Sequence, residues 1–370
     1  MDRDRLEHLS IARGIGILLV VIAHSFVPEI RGSNGVISAV FLWICGYAMQ
    51  LFMLISGYLY QRGYPKYRQN GGLRFYAGKF KALIIPYLSM SALAYTGIGV
   101  AYLIPPLARV LASASYSRVS FAESLFQIIT LEGHMINHLY FLPTLFLILA
   151  LTYATGRFFK SIPGMIVCLI SFILLDLLPM PHLISRICWL LVFFCFGRFV
   201  TFVDTLSQKK MLIPLIPVHF VCLFIQRAGL LSRNTSLSRD AVLPWDVTLD
   251  FGLVLNSLVA VAIGVSGALI VLAVSRIIAG KTAGSLIGRL GDNSMIIYLL
   301  HQPFIVSGVS GILLMYTFIP HLMICFVTLV PGITIPLLVN RYVITKVRLL
   351  RGLFTGDFSK KEKRMAVPND

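Results

Sequence analysis

The sequence predicts an all-α protein, a polytopic membrane helical bundle of about ten transmembrane helices with both termini in the cytoplasm. The chain is 57% hydrophobic and 13% charged, and a soluble domain carries about twice that charged fraction. Apolar runs of about 17–25 residues recur along it, and each is long enough to cross a bilayer. Basic residues concentrate in alternate connecting segments, which sets the orientation of the spans.

Ten spans are expected, with approximate limits 9–28, 36–60, 82–104, 138–157, 163–179, 183–203, 211–230, 251–275, 293–317 and 318–344. Residues 119–137 are too polar for a lipid-facing helix, so we expect a re-entrant or interfacial segment there. No internal repeat or separate soluble domain is apparent. The expected organisation is a membrane domain over 1–344 and a basic cytoplasmic tail over 345–370.

The basic residues favour a cytoplasmic N-terminus. With that orientation the segments 61–81 and 341–364, which are rich in Lys and Arg, face the cytoplasm. The net charge of +17 resides mainly in short loops beside the membrane. Membrane lipids with anionic head groups are therefore the expected partners, and no nucleic acid is expected. The six cysteines all lie in apolar runs without a CxxC pair, which is typical of small buried residues rather than of a disulfide framework or metal site.

The first span carries two polar residues, Arg13 and His24, eleven positions apart. That spacing is almost three helical turns, so both side chains lie on one face, roughly 16 Å apart along the axis. A histidine there suits a general base, and an arginine near the inner surface suits a phosphate. The alternatives are an arginine that reaches the lipid head groups and a histidine that only packs.

A second polar stripe contains Ser294, Tyr298 and His301, at positions i, i+4 and i+7 of one predicted helix. Pro303 is expected to kink the helix just beyond it. In lipid such a stripe must face the interior of the bundle. It either orients a reacting group or ties helices together by hydrogen bonds.

Two further segments carry polar or basic residues. Ser56 and Gly57, followed by Tyr58, permit either close helix packing or a local break. The next loop is basic and either binds a polyphosphate or anchors the orientation of the protein. Its cations are Arg62, Lys66, Arg68, Arg74, Lys79 and Lys81.

Residues 132–143 place Glu132, His134 and His138 beside a membrane entry, followed by Tyr140. The spacing of the histidines and the carboxylate matches no zinc pattern. No metal site is predicted from this segment.

Together these segments resemble the acyltransferase 3 family of membrane acyltransferases. The run from Arg13 to His24 is similar to its Arg/Lys-x10-His motif, and Phe52–Leu59 to its Phe-Phe-x-x-Ser-Gly-Tyr-Leu segment. His138–Pro143 resembles its x-Leu-Trp-Phe-Leu segment. Asn293–Pro303 resembles its Ser-x-x-x-Tyr-x-x-His-x-Pro segment. The four segments occur in family order across the predicted spans.

The resemblance implies transfer of an acyl group, most often acetyl, from cytoplasmic acyl-CoA to a hydroxyl of a cell-surface polysaccharide or its lipid-linked precursor. It implies acetyl-CoA as donor substrate, a glycan or lipid-linked sugar as acceptor, and the bacterial cytoplasmic (inner) membrane as location. An oligomer is left open. The implied catalytic residues are His24, Arg13, His301, Tyr298 and Ser294. The implied donor-binding residues are Arg13, Arg74, Lys79 and Lys81. The implied acceptor-binding residues are Ser56, Tyr58, Glu132, His138 and Tyr140.

Two features depart from the family. Lys79 and Ala82 stand where relatives often have Arg-x-x-Arg, so the charge is kept without the paired guanidinium geometry. The tail is too short for the extracytoplasmic esterase-like domain (SGNH type) that many relatives carry, so a stand-alone sugar O-acetyltransferase is expected. The alternatives are a transporter or flippase of a glycan or small anion, and a non-enzymatic scaffold.

Overall fold

The computed structural model describes residues 4–26, 31, 35–113, 116–131, 134–176, 182–227, 251–316 and 319–359. Within these ranges the chain is almost entirely helical and contains no β-strand. The predicted all-α bundle is therefore confirmed.

In the first part of the chain the described residues form eight α-helices. They are α1 Asp4–Ser25, α2 Gly35–Cys45, α3 Ala48–Gln69, α4 Gly72–Lys79, α5 Ile85–Ala101, α6 Pro105–Ser113, α7 Phe121–Thr130 and α8 Phe141–Ala154. The second part continues with ten described α-helices. They are α9 Ile162–Asp176, α10 His182–Arg198, α11 Val200–Leu206, α12 Leu212–Arg227, α13 Phe251–Ile278, α14 Thr282–Asp292, α15 Ser294–Leu300, α16 Val306–Leu314, α17 His321–Val339 and α18 Arg348–Thr355.

Eight helical segments of the described chain are long and apolar enough to cross a membrane, or nine if α10 and α11 form one span. The axis bends by 81° between Leu183–Gly197 and Val200–Leu206. The remaining predicted span falls on Ile162–Leu174, which is apolar but shorter than the others. The ten expected spans thus correspond to eight full-length segments, one bent pair and one short helix.

Helix α1 lies at the centre and packs against α3, α13, α14, α15 and α17. Its crossing with α14 is very close, because a Cβ atom at Gly291 would lie 1.7 Å from the carbonyl oxygen of Ser10. A Cβ at Gly14 would lie 2.0 Å from the carbonyl oxygen of Ile287. Small residues permit such backbone contact between membrane helices.

Helices α3 and α10 make a second close contact. A Cβ at Gly57 would lie 2.0 Å from the carbonyl oxygen of Phe194, and a Cβ at Gly197 would lie 2.0 Å from that of Leu54. Helix α3 continues without a break through Ser56 and Gly57. Of the two interpretations of this pair, close helix packing is therefore confirmed.

The segment expected to be re-entrant or interfacial contains the short helix α7, which begins at the N-cap Ser120. Its apolar side chains are largely exposed, with Phe121 at 83% and Ile129 at 73%. The adjoining membrane-length segment starts only at Ile136. An exposed apolar face on a short helix suits the membrane surface.

Candidate functional site

Three histidines from separate parts of the chain meet inside the bundle. His24 lies near the end of α1, His138 in the helical turn His134–Tyr140, and His301 directly after α15. The ring centroids of His24 and His301 are 4.9 Å apart, and those of His138 and His301 are 5.6 Å apart. His301 has no exposed surface, whereas His24 is exposed between the buried residues Ala23 and Ser25. Of His24 and His301, His24 is therefore the one that keeps accessible surface.

Backbone carbonyl groups fix the rings of two of these histidines. The Nδ1 atom of His24 lies 2.8 Å from the carbonyl oxygen of Val20. The Nδ1 atom of His301 lies 3.0 Å from the carbonyl oxygen of Ile297 and 2.9 Å from that of Tyr298. Because a carbonyl oxygen only accepts, each Nδ1 carries the hydrogen, and Nε2 of each neutral ring keeps its lone pair. Both Nε2 atoms are thus available as proton acceptors.

The Nε2 atoms of His138 and His301 are buried without a hydrogen-bond partner among the described residues. An unpaired polar atom in a protein interior costs free energy, so it requires an explanation beyond packing. Here the two unpaired atoms belong to one cluster whose third member, His24, is open. That combination marks the cluster as the candidate active site.

The predicted stripe is buried as expected, and its members Tyr298 and His301 both contact this cluster. Tyr298 donates its hydroxyl hydrogen to the backbone carbonyl oxygen of His138, so this hydroxyl already has an acceptor. Ser294 begins α15, two turns before His301, and lies next to Asn293 and Asp292. Among the three stripe residues, His301 is therefore the neighbour of His24.

Arg13 is bound at the crossing of α1 and α14. Its Nη2 atom donates to Ser10 Oγ at 3.1 Å and lies 3.4 Å from Asp292 Oδ1. Ser10 Oγ in turn donates to the same carboxylate oxygen at 2.8 Å. The Nε atom of Arg13 is buried and without a partner among the described residues. Arg13 is thus held by polar side chains, and it lies on the same helix that carries His24.

The three other cations predicted to bind donor have two kinds of surroundings. Arg74 and Lys81 are exposed. The Nζ atom of Lys79 lies 5.1 Å from the ring centroid of Tyr67 and 5.8 Å from that of Phe75. Lys79 therefore packs on aromatic faces, in a cation–π arrangement.

The residues predicted to bind acceptor are spread through the bundle. Ser56 donates to the carbonyl oxygen of Phe52 in its own helix at 2.7 Å. The guanidinium carbon of Arg186 lies 4.5 Å from the ring centroid of Tyr140. Glu132 lies outside the described residues. Of this group only His138 is part of the histidine cluster.

Tyr58, the remaining predicted acceptor ligand, belongs to a charged cluster that the sequence analysis did not anticipate. Its hydroxyl donates to the carboxylate of Asp204 at 3.0 and 3.2 Å. Arg276 lies 2.5 Å and Arg62 3.7 Å from the same carboxylate. The available signal was Asp204 itself, an acidic residue in an otherwise basic segment.

A second unanticipated group involves Gln302, which follows His301 directly. Its Oε1 atom accepts hydrogen bonds from Ser307 Oγ at 2.5 Å and from the Tyr116 hydroxyl at 3.0 Å. A polar residue between His301 and Pro303 in an apolar run was the signal. No group of three or more His, Cys, Asp or Glu side chains in the described ranges could hold a metal ion.

Comparison with known proteins assigns the family. A family model described as an acyltransferase domain, that of the acyltransferase 3 family, matches residues 7–340. This range covers nearly the whole chain, from α1 to the end of α17, and includes all three clustered histidines. No curated protein and no solved structure gave a significant match. The chain is an integral membrane acyltransferase that belongs to the acyltransferase 3 family.

Proposed function

We propose that the protein transfers an acyl group, acetyl in the first instance, from cytoplasmic acyl-CoA to a hydroxyl of a cell-surface polysaccharide or its lipid-linked precursor. We place it in the bacterial cytoplasmic membrane. The observation that carries the proposal is the accessible surface of His24 within the histidine cluster, with Nδ1 bound to a backbone carbonyl oxygen and the His301 ring centroid at 4.9 Å. A fixed histidine with a free Nε2 lone pair is the arrangement that a general base requires.

The proposed step is direct transfer. His24 Nε2 takes the proton of the acceptor hydroxyl while the hydroxyl oxygen attacks the thioester carbonyl carbon. The tetrahedral intermediate collapses with cleavage of the carbon–sulfur bond, and the coenzyme A thiolate takes the proton from the His24 imidazolium. The products are an ester and free coenzyme A. His301, packed edge-on against His24, holds the base in position.

The donor enters from the cytoplasmic end of α1 in this proposal. Arg13 binds a donor phosphate, and the pantetheine arm spans the roughly 16 Å of helix axis between Arg13 and His24. The partial exposure of Arg13, at 34% of its side chain, supports an accessible cation there. Because Arg74 and Lys81 are exposed, their role in this proposal is a long-range electrostatic attraction for the polyanionic donor.

The experiment uses purified protein in lipid nanodiscs with radiolabelled acetyl-CoA and a cell-envelope glycan extract. Label entering glycan is followed for wild type, His24→Ala and the control His321→Ala, which changes an exposed histidine at the start of α17. We expect transfer by wild type and His321→Ala, and a loss of roughly 10²–10⁴-fold in His24→Ala. Arg13→Ala is expected to raise the half-saturating donor concentration, whereas Arg118→Ala, at an exposed arginine of the predicted outer side, leaves it unchanged.

Two outcomes would overturn the proposal. A wild-type protein that neither binds nor consumes acetyl-CoA in the presence of the glycan extract would favour a transporter. Full transfer by folded His24→Ala would remove the base from the mechanism.

A further inference from the structure

The helix that carries His301 is broken directly after it. Gln302 has an extended backbone, with φ −122° and ψ 156°, inside an otherwise helical run. Pro303 explains this, because the residue before a proline is pushed out of the helical region. Irregular backbone at membrane depth is tolerated only where it is buried in protein or lines a cavity.

The break brings a side-chain amide into a polar group that no motif of the sequence singles out. Gln302 is only 7% exposed. Its Oε1 accepts from Ser307 on α16 and from Tyr116, which precedes α7. The Tyr116 and Ser307 oxygens also lie 3.0 Å apart, so the three side chains form one network.

Tyr116 is well suited to hold this amide. It lies outside the membrane-length segments, and burial raises the pKa of its hydroxyl to about 12. The hydroxyl therefore stays protonated at physiological pH and can donate to Oε1. With both donors on Oε1, the orientation of the amide is set and its nitrogen points away from them.

The amide nitrogen of Gln302 has two hydrogens to donate, and the hydrogen bonds of this side chain to the described residues run through Oε1. The nitrogen is not among the fully buried atoms that lack a partner, so it keeps accessible surface. The oxygen of this nearly buried amide accepts two hydrogen bonds, and its nitrogen donates none within the described residues. That arrangement is more typical of a binding site than of a structural bridge. Its position next to His301 places it at the edge of the histidine cluster. Its partner Tyr116 belongs to a segment predicted to face outside, opposite to the Arg13 end.

We propose that the Gln302 amide, held by Tyr116 and Ser307, binds an oxygen of the acceptor sugar and positions its hydroxyl toward His24. This inference rests on the proposed function and assigns to it an acceptor subsite on the outer side of the cluster. Sugars present ring and hydroxyl oxygens that accept from an amide N–H. A hydrocarbon surface offers no acceptor for such a donor.

The test uses the transfer assay in nanodiscs with the same cell-envelope glycan extract, titrated separately from acetyl-CoA. Gln302→Glu keeps an acceptor oxygen for Tyr116 and Ser307 but removes the N–H groups, and Gln302→Met removes both. Both variants are expected to raise the half-saturating glycan concentration roughly tenfold, with the half-saturating acetyl-CoA concentration unchanged. The control is Ser310→Ala on α16, where the serine donates only to a backbone carbonyl oxygen of its own helix.

The outcomes separate this inference from the proposed function. Absence of transfer by wild type contradicts the proposed function and removes the basis of the inference. Transfer by wild type with unaltered glycan dependence in both Gln302 variants overturns the subsite alone. A purely structural role is indicated if the variants change donor and acceptor dependence equally, or if Gln302→Glu behaves as wild type while Gln302→Met does not.

Discussion

Asp204 illustrates how a single residue can balance charge for several helices. Asp204, on α11, accepts hydrogen bonds from Arg276 on α13 and from Tyr58 on α3. It also forms an ion pair with Arg62 on α3. The three charged side chains are each about one quarter to one third exposed, whereas Tyr58 is buried. The carboxylate thus neutralises one of two arginines and leaves a local excess of positive charge.

Asp204→Asn is expected to lower the free energy of unfolding by about 1–3 kcal/mol, because two half-buried guanidinium groups lose their only shared counter-charge. Thermal unfolding in detergent provides the measurement. Asp357→Asn serves as the matched control, since Asp357 is 50% exposed and forms an ion pair with one arginine, Arg351. Equal destabilisation by the two substitutions would contradict this account.

Part of the histidine cluster could be predicted from the sequence. His24 and His301 could be predicted to face the interior because each lies on a polar stripe of an apolar helix. The contact between His24 and His301 could not be predicted, because it depends on how α1 and α15 pack against each other. His138 was assigned to acceptor binding on a resemblance, and its contact with His301 arises from a helical turn that no spacing rule predicts.

At the scale of helices, two of the helix pairs pack through close backbone contacts at glycines. The pair α3 and α10 meets through Gly57 and Gly197, and neither position has room for a side chain. Gly57→Ala is expected to destabilise the protein by about 1–3 kcal/mol or more, because backbone rather than a flexible side chain must move. Thermal unfolding should show no such loss for Gly78→Ala, where no atom lies within 4 Å of the added carbon.

The crossing of α1 and α14 makes a prediction about donor binding. Gly291→Ala would force α14 away from Ser10 and displace Asp292 from Arg13. On the proposed function, the half-saturating acetyl-CoA concentration rises several-fold. Gly288→Ala on the same helix is the control, because its added carbon would meet Ile11 at an ordinary 3.7 Å. A larger effect at Gly288 than at Gly291 would refute the role of this crossing.

Most helices could be placed from hydropathy, and the exceptions have physical causes. Predicted span 183–203 is divided by the 81° bend after Gly197, which hydropathy cannot detect because both halves are apolar. Predicted span 163–179 corresponds to a shorter apolar helix, since composition does not reveal where helical hydrogen bonding stops. The break at Gln302 was predictable from Pro303, whereas its partner Tyr116 was not.

For the whole molecule, the positive-inside pattern predicts opposite sides for two exposed positions. In a background without the native cysteines, Gly78→Cys should react with a membrane-impermeant maleimide only from the cytoplasmic side. Ser117→Cys should react only from the outer side. Both sites are exposed, so labelling in right-side-out and inside-out vesicles reports topology rather than burial. Reaction of both from one side would require a different orientation of α5.

Helix α1 is a single uninterrupted rod from Asp4 to Ser25, and it carries both Arg13 and His24. The pantetheine arm has the same length in every acyl-CoA, whatever chain it delivers. On the proposed function, the fixed separation of Arg13 and His24 along α1 matches the constant part of the donor and does not depend on the acyl chain. On the same proposal, discrimination between acetyl and longer chains comes from residues beyond His24, so that preference can change while the contact between Arg13 and the donor phosphate stays the same.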